Sequence, residues 1–97
     1  MAFVAKHINN HMFSFRTYVK HVNMDSLLEQ YPEGRMDGCY EPERGYDRDE
    51  IGFVDEETGE EFYVYSRFGR VRVGGPTGVN AERLALYLQA NAKELVK

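Results

Sequence analysis

Residues 51–73 read IGFVDEETGEEFYVYSRFGRVRV, and this sequence predicts a meander of antiparallel strands. Its aromatic and β-branched residues alternate with polar ones, which is the pattern of half-buried β-strands. The dipeptide Phe68-Gly69 is typical of a two-residue hairpin turn, because glycine readily takes the positive φ that such a turn needs. This turn places opposite each other the pairs Arg67 and Arg70, Ser66 and Val71, Tyr65 and Arg72, and Val64 and Val73.

A second turn, at residues 56–59, predicts the register of the preceding strand. The sequence Glu-Glu-Thr-Gly forms a loop that places Phe53 opposite Phe62 and Ile51 opposite Val64. Both registers give the same two faces, because side chains alternate sides along a strand. The predicted core face holds Ile51, Phe53, Phe62, Val64, Val71 and Val73. The other face holds Val54, Tyr63, Tyr65, Arg67, Arg70 and Arg72.

The chain ends with an apolar stripe at helical spacing, which predicts a helix over residues 80–96. We expect Asn80 to cap the N-terminus of this helix. The helix is expected to lie on the core face of the sheet. The stripe consists of Ala81, Leu84, Ala85, Leu88, Ala92, Leu95 and Val96.

Residues 13–21 alternate as a strand does and predict a fourth strand. Residues 2–8 can pair with it across an Asn9-Asn10 turn. Asp25 or Ser26 can then cap a short helix that runs through Tyr31.

Residues 33–50 contain several glycines and many charged residues, which predicts a long acidic surface loop. The whole chain, residues 1–97, is expected to form one α+β domain, since its length suits a single core. We expect an antiparallel sheet of about four strands, with the C-terminal helix packed on one face and a short helix after the N-terminal strand.

Charge is unevenly distributed along the chain. The net charge is −4, yet residues 25–61 hold fourteen of the sixteen acidic residues. A negative total argues against broad attraction to nucleic acids or to anionic membranes. Cys39 is the only cysteine, which favours a reducing compartment. Without an apolar run of signal-peptide or membrane-span length, the sequence predicts a cytoplasmic protein.

The acidic segment is the first candidate site. Tyrosines lie among its carboxylates, and tyrosine and complementary charge both favour protein interfaces. The alternative is a solubilising loop that contacts no partner. The candidate partner-binding residues are Tyr40, Glu41, Glu43, Tyr46, Asp47, Asp49 and Glu50.

The predicted outer face of the sheet is the second candidate site. Guanidinium groups beside aromatic rings can bind phosphates, nucleotides or single-stranded nucleic acid, and they can also bind an acidic protein. The alternatives are a solvated sheet face or arginines neutralised by the acidic loop. The candidate ligand-binding residues are Tyr63, Tyr65, Arg67, Arg70 and Arg72.

The sequence predicts no catalytic residue, no metal site and no cofactor. Asp47 begins a run that resembles a calcium loop, but Thr58 stands where that loop needs a bidentate glutamate. His7 and His11 are spaced as zinc ligands on a helix would be, yet they flank a predicted turn. We therefore expect a binding protein and not an enzyme.

In size, acidity and tyrosine content the chain resembles small phage-encoded inhibitor proteins, a class that includes anti-CRISPR proteins. This resemblance rests on length and charge and implies no functional residue. It implies a host-cytoplasmic inhibitor that docks its acidic segment on a basic, nucleic-acid-binding surface of a larger protein. The alternatives are the nucleotide or nucleic-acid binder described above and a structural subunit that forms homo-oligomers through an exposed edge strand.

Overall fold

Three consecutive antiparallel strands form the centre of the sheet: β4 (Glu50–Asp55), β5 (Glu61–Arg67) and β6 (Arg70–Gly75). The computed structural model describes residues 3–9, 15–36, 43 and 49–92. Phe53 lies opposite Phe62, and Arg67 lies opposite Arg70. Both registers predicted from the turns are therefore confirmed.

The β5–β6 turn has the backbone geometry of a tight hairpin. Phe68 and Gly69 have φ values of 52° and 74°. Positive φ at both central residues matches the twist of the flanking strands. The β4–β5 turn has one left-handed residue, Gly59, whose N–H donates to the carbonyl of Asp55. The Asp55 side chain accepts a hydrogen bond from the N–H of Glu57 at 2.9 Å, which stabilises this turn.

Three further strands extend the described sheet: β1 (Phe3–Ala5), β2 (Phe15–Tyr18) and β3 (Arg35–Met36). The order is β1-β4-β5-β6-β2, and β3 also pairs with β4. The described part of the chain thus has six strands, where the sequence suggested about four. β3 and a 3₁₀ turn at Pro32–Gly34 occupy the start of the segment predicted as a loop.

The predicted pairing of residues 2–8 with the next strand is wrong. β1 pairs with β4 through Phe3 and Asp55, and β2 pairs with β6 at the opposite edge of the sheet. The physical reason is burial of Phe3, whose ring packs against Phe62 at 5.6 Å and against Tyr87 at 5.5 Å. Position 10 of the expected turn lies outside the described residues.

Both helices begin earlier than the sequence suggested. Helix α1 spans Met24–Gln30, and its cap is Asn23, whose side chain accepts from the N–H of Ser26 at 2.8 Å. Helix α2 spans Gly78–Asn91. Its cap is Thr77, whose hydroxyl accepts from the N–H of Asn80 at 3.1 Å.

The predicted caps Asp25, Ser26 and Asn80 are corrected accordingly. A capping residue must have extended backbone, and Asn23 and Thr77 have ψ values of 156° and 153°. Leu95 and Val96, which the sequence placed in the apolar stripe, lie outside the described residues.

The main core lies between one face of the sheet, here called the inner face, and the two helices. All six residues predicted for the core face are buried there. Ala81, Leu84, Ala85 and Leu88 of α2 cover them, and Met24 and Leu27 of α1 complete the core. The predicted position of the C-terminal helix is confirmed. Removal of this apolar surface from water is the main contribution to stability.

The opposite, outer face is partly covered by a second apolar cluster. Ile8, Met36, Tyr63 and Tyr65 are buried together, and Val54 packs against them. The chain at residues 6–8 crosses β4 at Gly52, and the Lys6 N–H donates to the Gly52 carbonyl at 2.9 Å. The outer face is therefore apolar near β4 and β5 and basic near β6 and β2.

Candidate anion-binding site on the outer face

A row of five side chains crosses the outer face. Tyr18 of β2 pairs with Arg72 of β6, which pairs with Tyr65 of β5. One position beyond the Ile51–Val64 pair, Glu50 lies beside Tyr65, and Met36 pairs with Glu50. Cross-strand neighbours in such a row contact each other directly. The row runs from an exposed ring at one edge to a buried thioether at the other.

Tyr63 and Tyr65 are part of the core on the outer face. Their rings stack at 4.7 Å with an interplanar angle of 15°, and their exposed fractions are 6% and 1%. The sequence placed both rings correctly on this face. Their burial under Ile8 and Met36 means that they do not present their faces to a ligand in this structure.

The Tyr63 ring lies flat across a glycine. A Cβ atom at Gly74 would overlap with a ring carbon of Tyr63, so only glycine leaves room for the ring. Burial raises the pKa of the Tyr63 phenol well above its usual value of 10.0, and the neighbouring Tyr65 raises it further. The positive charge of Arg16 on β2 acts in the opposite direction on this pKa.

Arg70 and Arg72 flank the ring of Tyr18. Their guanidinium carbons lie 5.5 Å and 4.9 Å from the ring centroid, within the range of cation–π attraction. The Tyr18 side chain is 45% exposed, so the arrangement faces solvent. Together with the exposed Arg16, these residues form what we call the Arg/Tyr cluster: Arg16, Tyr18, Arg70 and Arg72.

The charges of the cluster are not neutralised by the described acidic residues. No carboxylate in residues 3–9, 15–36, 43 and 49–92 lies within ion-pair distance of Arg70 or Arg72. The Nε atom of Arg72 is buried and has no hydrogen-bond partner. Arg16, Thr17, Tyr18 and Arg72 line a small pocket of about 90 Å³, which has room for a carboxylate or a few water molecules.

A wider groove of about 380 Å³ adjoins the cluster at the β5–β6 turn. Tyr18, Lys20, His21 and Arg70 line this groove. His21 has a φ of 62°, a left-handed conformation that histidine tolerates better than most residues. Arg67 is half-buried on the far side of the turn, where its guanidinium lies 5.4 Å from the Phe68 ring.

The structure divides the acidic candidate residues. Glu43 is exposed, whereas Asp49 forms an ion pair with Arg35 at 2.7 Å. Glu50 is only 5% exposed, within the sheet. Tyr40, Glu41, Tyr46 and Asp47 lie outside the described residues. Asp49 and Glu50 thus have structural surroundings of their own and do not form a free acidic surface.

The sequence interpretation did not include Arg16 and Tyr18 in the ligand-binding candidates. Alternation along residues 13–21 places Arg16, Tyr18 and Lys20 on one side of the predicted strand, but that strand was expected to pair with residues 2–8. The signal was therefore present as alternation, and only the strand order was wrong. Once β2 lies beside β6, its basic side joins Arg70 and Arg72.

The described residues contain neither a metal-binding cluster nor a membrane-spanning helix. In the described ranges no group of three or more His, Cys, Asp or Glu side chains is placed to hold a metal ion. No helix in the part of the chain that the structure describes is long and apolar enough to cross a membrane.

In the comparisons with known proteins, no family model, curated protein or solved structure matches the chain.

Proposed function

We propose that this protein is a small binding module that recognises an anionic partner through the Arg/Tyr cluster. The observation that supports this proposal best is the pair of arginines beside the exposed Tyr18 ring, neither of which has an ion-pair partner among the described residues. Arginines held against a ring keep their N–H groups oriented for carboxylate or phosphate oxygens.

The distribution of charge supports such a site even though the net charge of the protein is negative. The acidic turn at residues 56–60 and the β5–β6 turn lie at opposite ends of β5. Exposed charges separated by more than about 10 Å are largely screened at physiological salt. The acidic turn therefore has little effect on an anion near Arg70 and Arg72.

The proposal is tested with fluorescence anisotropy, using labelled oligoglutamate and labelled oligo(dT) as two anionic probes. We expect Arg72→Gln to weaken binding of whichever probe binds by about fivefold, since a charged contact that solvent can still reach contributes about 1 kcal/mol. The double variant Arg70→Gln/Arg72→Gln should weaken binding further and reduce the salt dependence.

Arg83→Gln is the matched control, because Arg83 is an exposed arginine on α2 and its loss changes the net charge equally. Equal affinity of the Arg72→Gln and Arg83→Gln proteins would show that binding depends on total charge and not on the cluster. Failure of both probes to bind the unmodified protein would also contradict the proposal.

A second candidate function is inhibition of a larger protein. The acidic segment would dock on a basic surface of that protein and block access to it. This function is supported by the exposed Glu43 and by Glu56 and Glu57, which are exposed at the β4–β5 turn. The resemblance to small phage-encoded inhibitors belongs to this proposal.

Two of the acidic candidates, Asp49 and Glu50, are unsuitable for charge reversal. Reversal of Glu50 would bury a lysine, and reversal of Asp49 would break its ion pair with Arg35. The variant should therefore combine Glu43→Lys, Glu56→Lys and Glu57→Lys. In affinity capture from cytosol, we expect a basic protein that salt releases from the unmodified bait and that the variant does not retain. Equal retention by both baits would contradict the proposal.

A further inference from the structure

Among the described residues, strand β2 pairs only with β6, so its other edge has no described partner strand. The N–H of Val19, just beyond β2, donates to the carbonyl of Val71 at 2.9 Å. In an antiparallel pair, alternate residues direct both backbone groups toward the partner strand. The N–H and C=O groups of Phe15 and Thr17 therefore point toward β6. The N–H and C=O groups of Arg16 and Tyr18 point away from the sheet.

The open edge has a defined end. Lys20 is the next residue whose N–H points outward, and that N–H donates to Oε1 of Gln89 on α2 at 2.9 Å. Within residues 15–20, the outward N–H and C=O groups of Arg16 and Tyr18 thus have no hydrogen-bond partner in the described part of the chain. Their spacing matches one short extended segment, which would pair with both residues as an added strand.

The two sides of this edge differ in chemistry. On the outer face, Arg16 and Arg72 line the pocket beside Tyr18. On the inner side, a groove of about 170 Å³ lies between β2 and α2, and its wall includes the exposed Leu86 together with the polar side chains of Glu82 and Gln89. The Phe15 side chain, which is 48% exposed, also lies on this side. An added strand would therefore meet positive charge on the outer side, and on the inner side two exposed apolar side chains beside polar ones.

We propose that the anionic partner is an extended acidic segment of another protein, which pairs with β2 as an additional strand. Side chains alternate along a strand, so the segment should alternate acidic residues, facing Arg16 and Arg72, with apolar residues, facing Leu86 and Phe15. This inference rests on the proposed function and specifies the partner class for the same cluster.

A second copy of the chain fits this edge less well than an acidic segment does. Pairing of β2 with β2 would place two Arg/Tyr clusters on one continuous sheet face, and like charges on neighbouring strands are destabilising. A nucleic acid fits less well because it has no peptide backbone whose N–H and C=O groups repeat at the spacing of a β-strand. It would also find only the Tyr18 ring of the three outer-face tyrosines exposed.

The test uses three labelled peptides. The first is (Glu-Val)4, the second is (Lys-Val)4, and the third has the composition of the first with its four Glu and four Val in separate blocks. We expect binding of the first peptide, at least tenfold weaker binding of the block peptide, and no binding of the lysine peptide. Oligo(dT) serves as the nucleic-acid probe, and sedimentation of the unmodified protein reports self-association.

A pair of variants isolates the backbone contribution. Tyr18→Ala removes the ring, and Tyr18→Pro removes the ring and the outward N–H. Proline is tolerated where the N–H of an edge strand faces solvent. We expect the proline variant to bind (Glu-Val)4 about fivefold to tenfold more weakly than the alanine variant, the amount expected for one lost hydrogen bond.

Amide hydrogen exchange tests the same contact in the unmodified protein, so the result does not require that any variant folds. We expect the amides of Arg16 and Tyr18 to become protected when (Glu-Val)4 binds. Binding that depends on Arg72 without this protection would contradict strand addition and leave the proposed function intact. Binding of oligo(dT) alone, or a stable dimer that buries these amides, would also overturn the inference. Absence of binding by every probe would contradict both proposals.

Discussion

At the scale of single residues, the outer face depends on two glycines that allow close packing. Gly74 accommodates the Tyr63 ring, and Gly52 lies under the backbone of residues 6–8. The two positions differ in what a methyl group would meet. At Gly74 it meets a side chain, whereas at Gly52 it meets the carbonyl oxygen of Lys6, which cannot move without displacing the chain.

We therefore predict that Gly52→Ala lowers the free energy of unfolding by about 2 kcal/mol, as overpacking in a core does. Gly78→Ala is the matched control. A methyl group there makes an ordinary 3.6 Å contact with Phe15, and loss of glycine from a helix should raise stability by about 0.5 kcal/mol. Urea unfolding of the three proteins measures both effects. Equal stability of the two variants would contradict the described path of residues 6–8.

The Tyr63 phenol gives a prediction about pH. Its pKa is raised by burial in the folded protein, above the ordinary value of 10.0. At pH values below 10 the phenol is protonated in the folded and the unfolded chain. As pH rises above 10, the unfolded chain loses the proton first, so the free energy of unfolding decreases.

We expect Tyr63→Phe to flatten this decrease, measured by urea unfolding between pH 8 and pH 11. Below pH 9 the two proteins should show the same pH dependence, which serves as the internal control. An equally steep loss of stability in both proteins above pH 10 would show that Tyr63 does not contribute to it.

Among the strands and helices, the sequence predicted correctly those strand pairs whose members lie close together in the chain. The strands β4, β5 and β6 are joined by short turns, so alternation and turn residues together determine their register. The position of β1 depends on a partner about fifty residues away, and local patterns contain no information about that choice. The same limit applies to the site: the side of the sheet that bears Arg70 and Arg72 was predictable, but the burial of Tyr63 and Tyr65 under Ile8 and Met36 was not.

The beginning of α2 gives a prediction at this scale. Thr77→Ala should lower the free energy of unfolding by about 1 kcal/mol, because the N–H of Asn80 loses its side-chain acceptor. Thr77→Ser keeps a hydroxyl at the same position and should retain most of the stability. Thermal unfolding distinguishes the two variants, and identical melting temperatures would contradict the assignment of Thr77 as the cap.

At the scale of the whole molecule, the two outermost strands β1 and β2 come from the first eighteen residues and lie at opposite edges of the sheet. Both pair with strands from the second half of the chain. Most contacts therefore join distant parts of the sequence, and a chain of this kind folds more slowly than one with local contacts. The β5–β6 hairpin is the local exception.

We predict that refolding takes milliseconds to seconds. Whether a variant changes the folding rate or the unfolding rate should depend on the position of the substitution. Gly69→Ala strains the hairpin turn, whose φ is 74°, and should slow folding. Phe3→Ala, in the distant strand β1, should mainly accelerate unfolding. Stopped-flow folding in urea measures both rates. A Phe3→Ala protein that folds slowly and unfolds at the normal rate would show that β1 docks before the hairpin forms.

The hydrogen bond from Lys20 to Gln89 has a consequence for polymerisation. Sheets grow into fibrils when an open edge is long enough to recruit one copy after another. Here the Lys20 N–H, which would extend the open edge, donates instead to the side chain of Gln89. Replacement of Gln89 would free the Lys20 N–H and lengthen the described edge, so we expect Gln89→Ala to polymerise more readily than the unmodified protein, as thioflavin fluorescence would report.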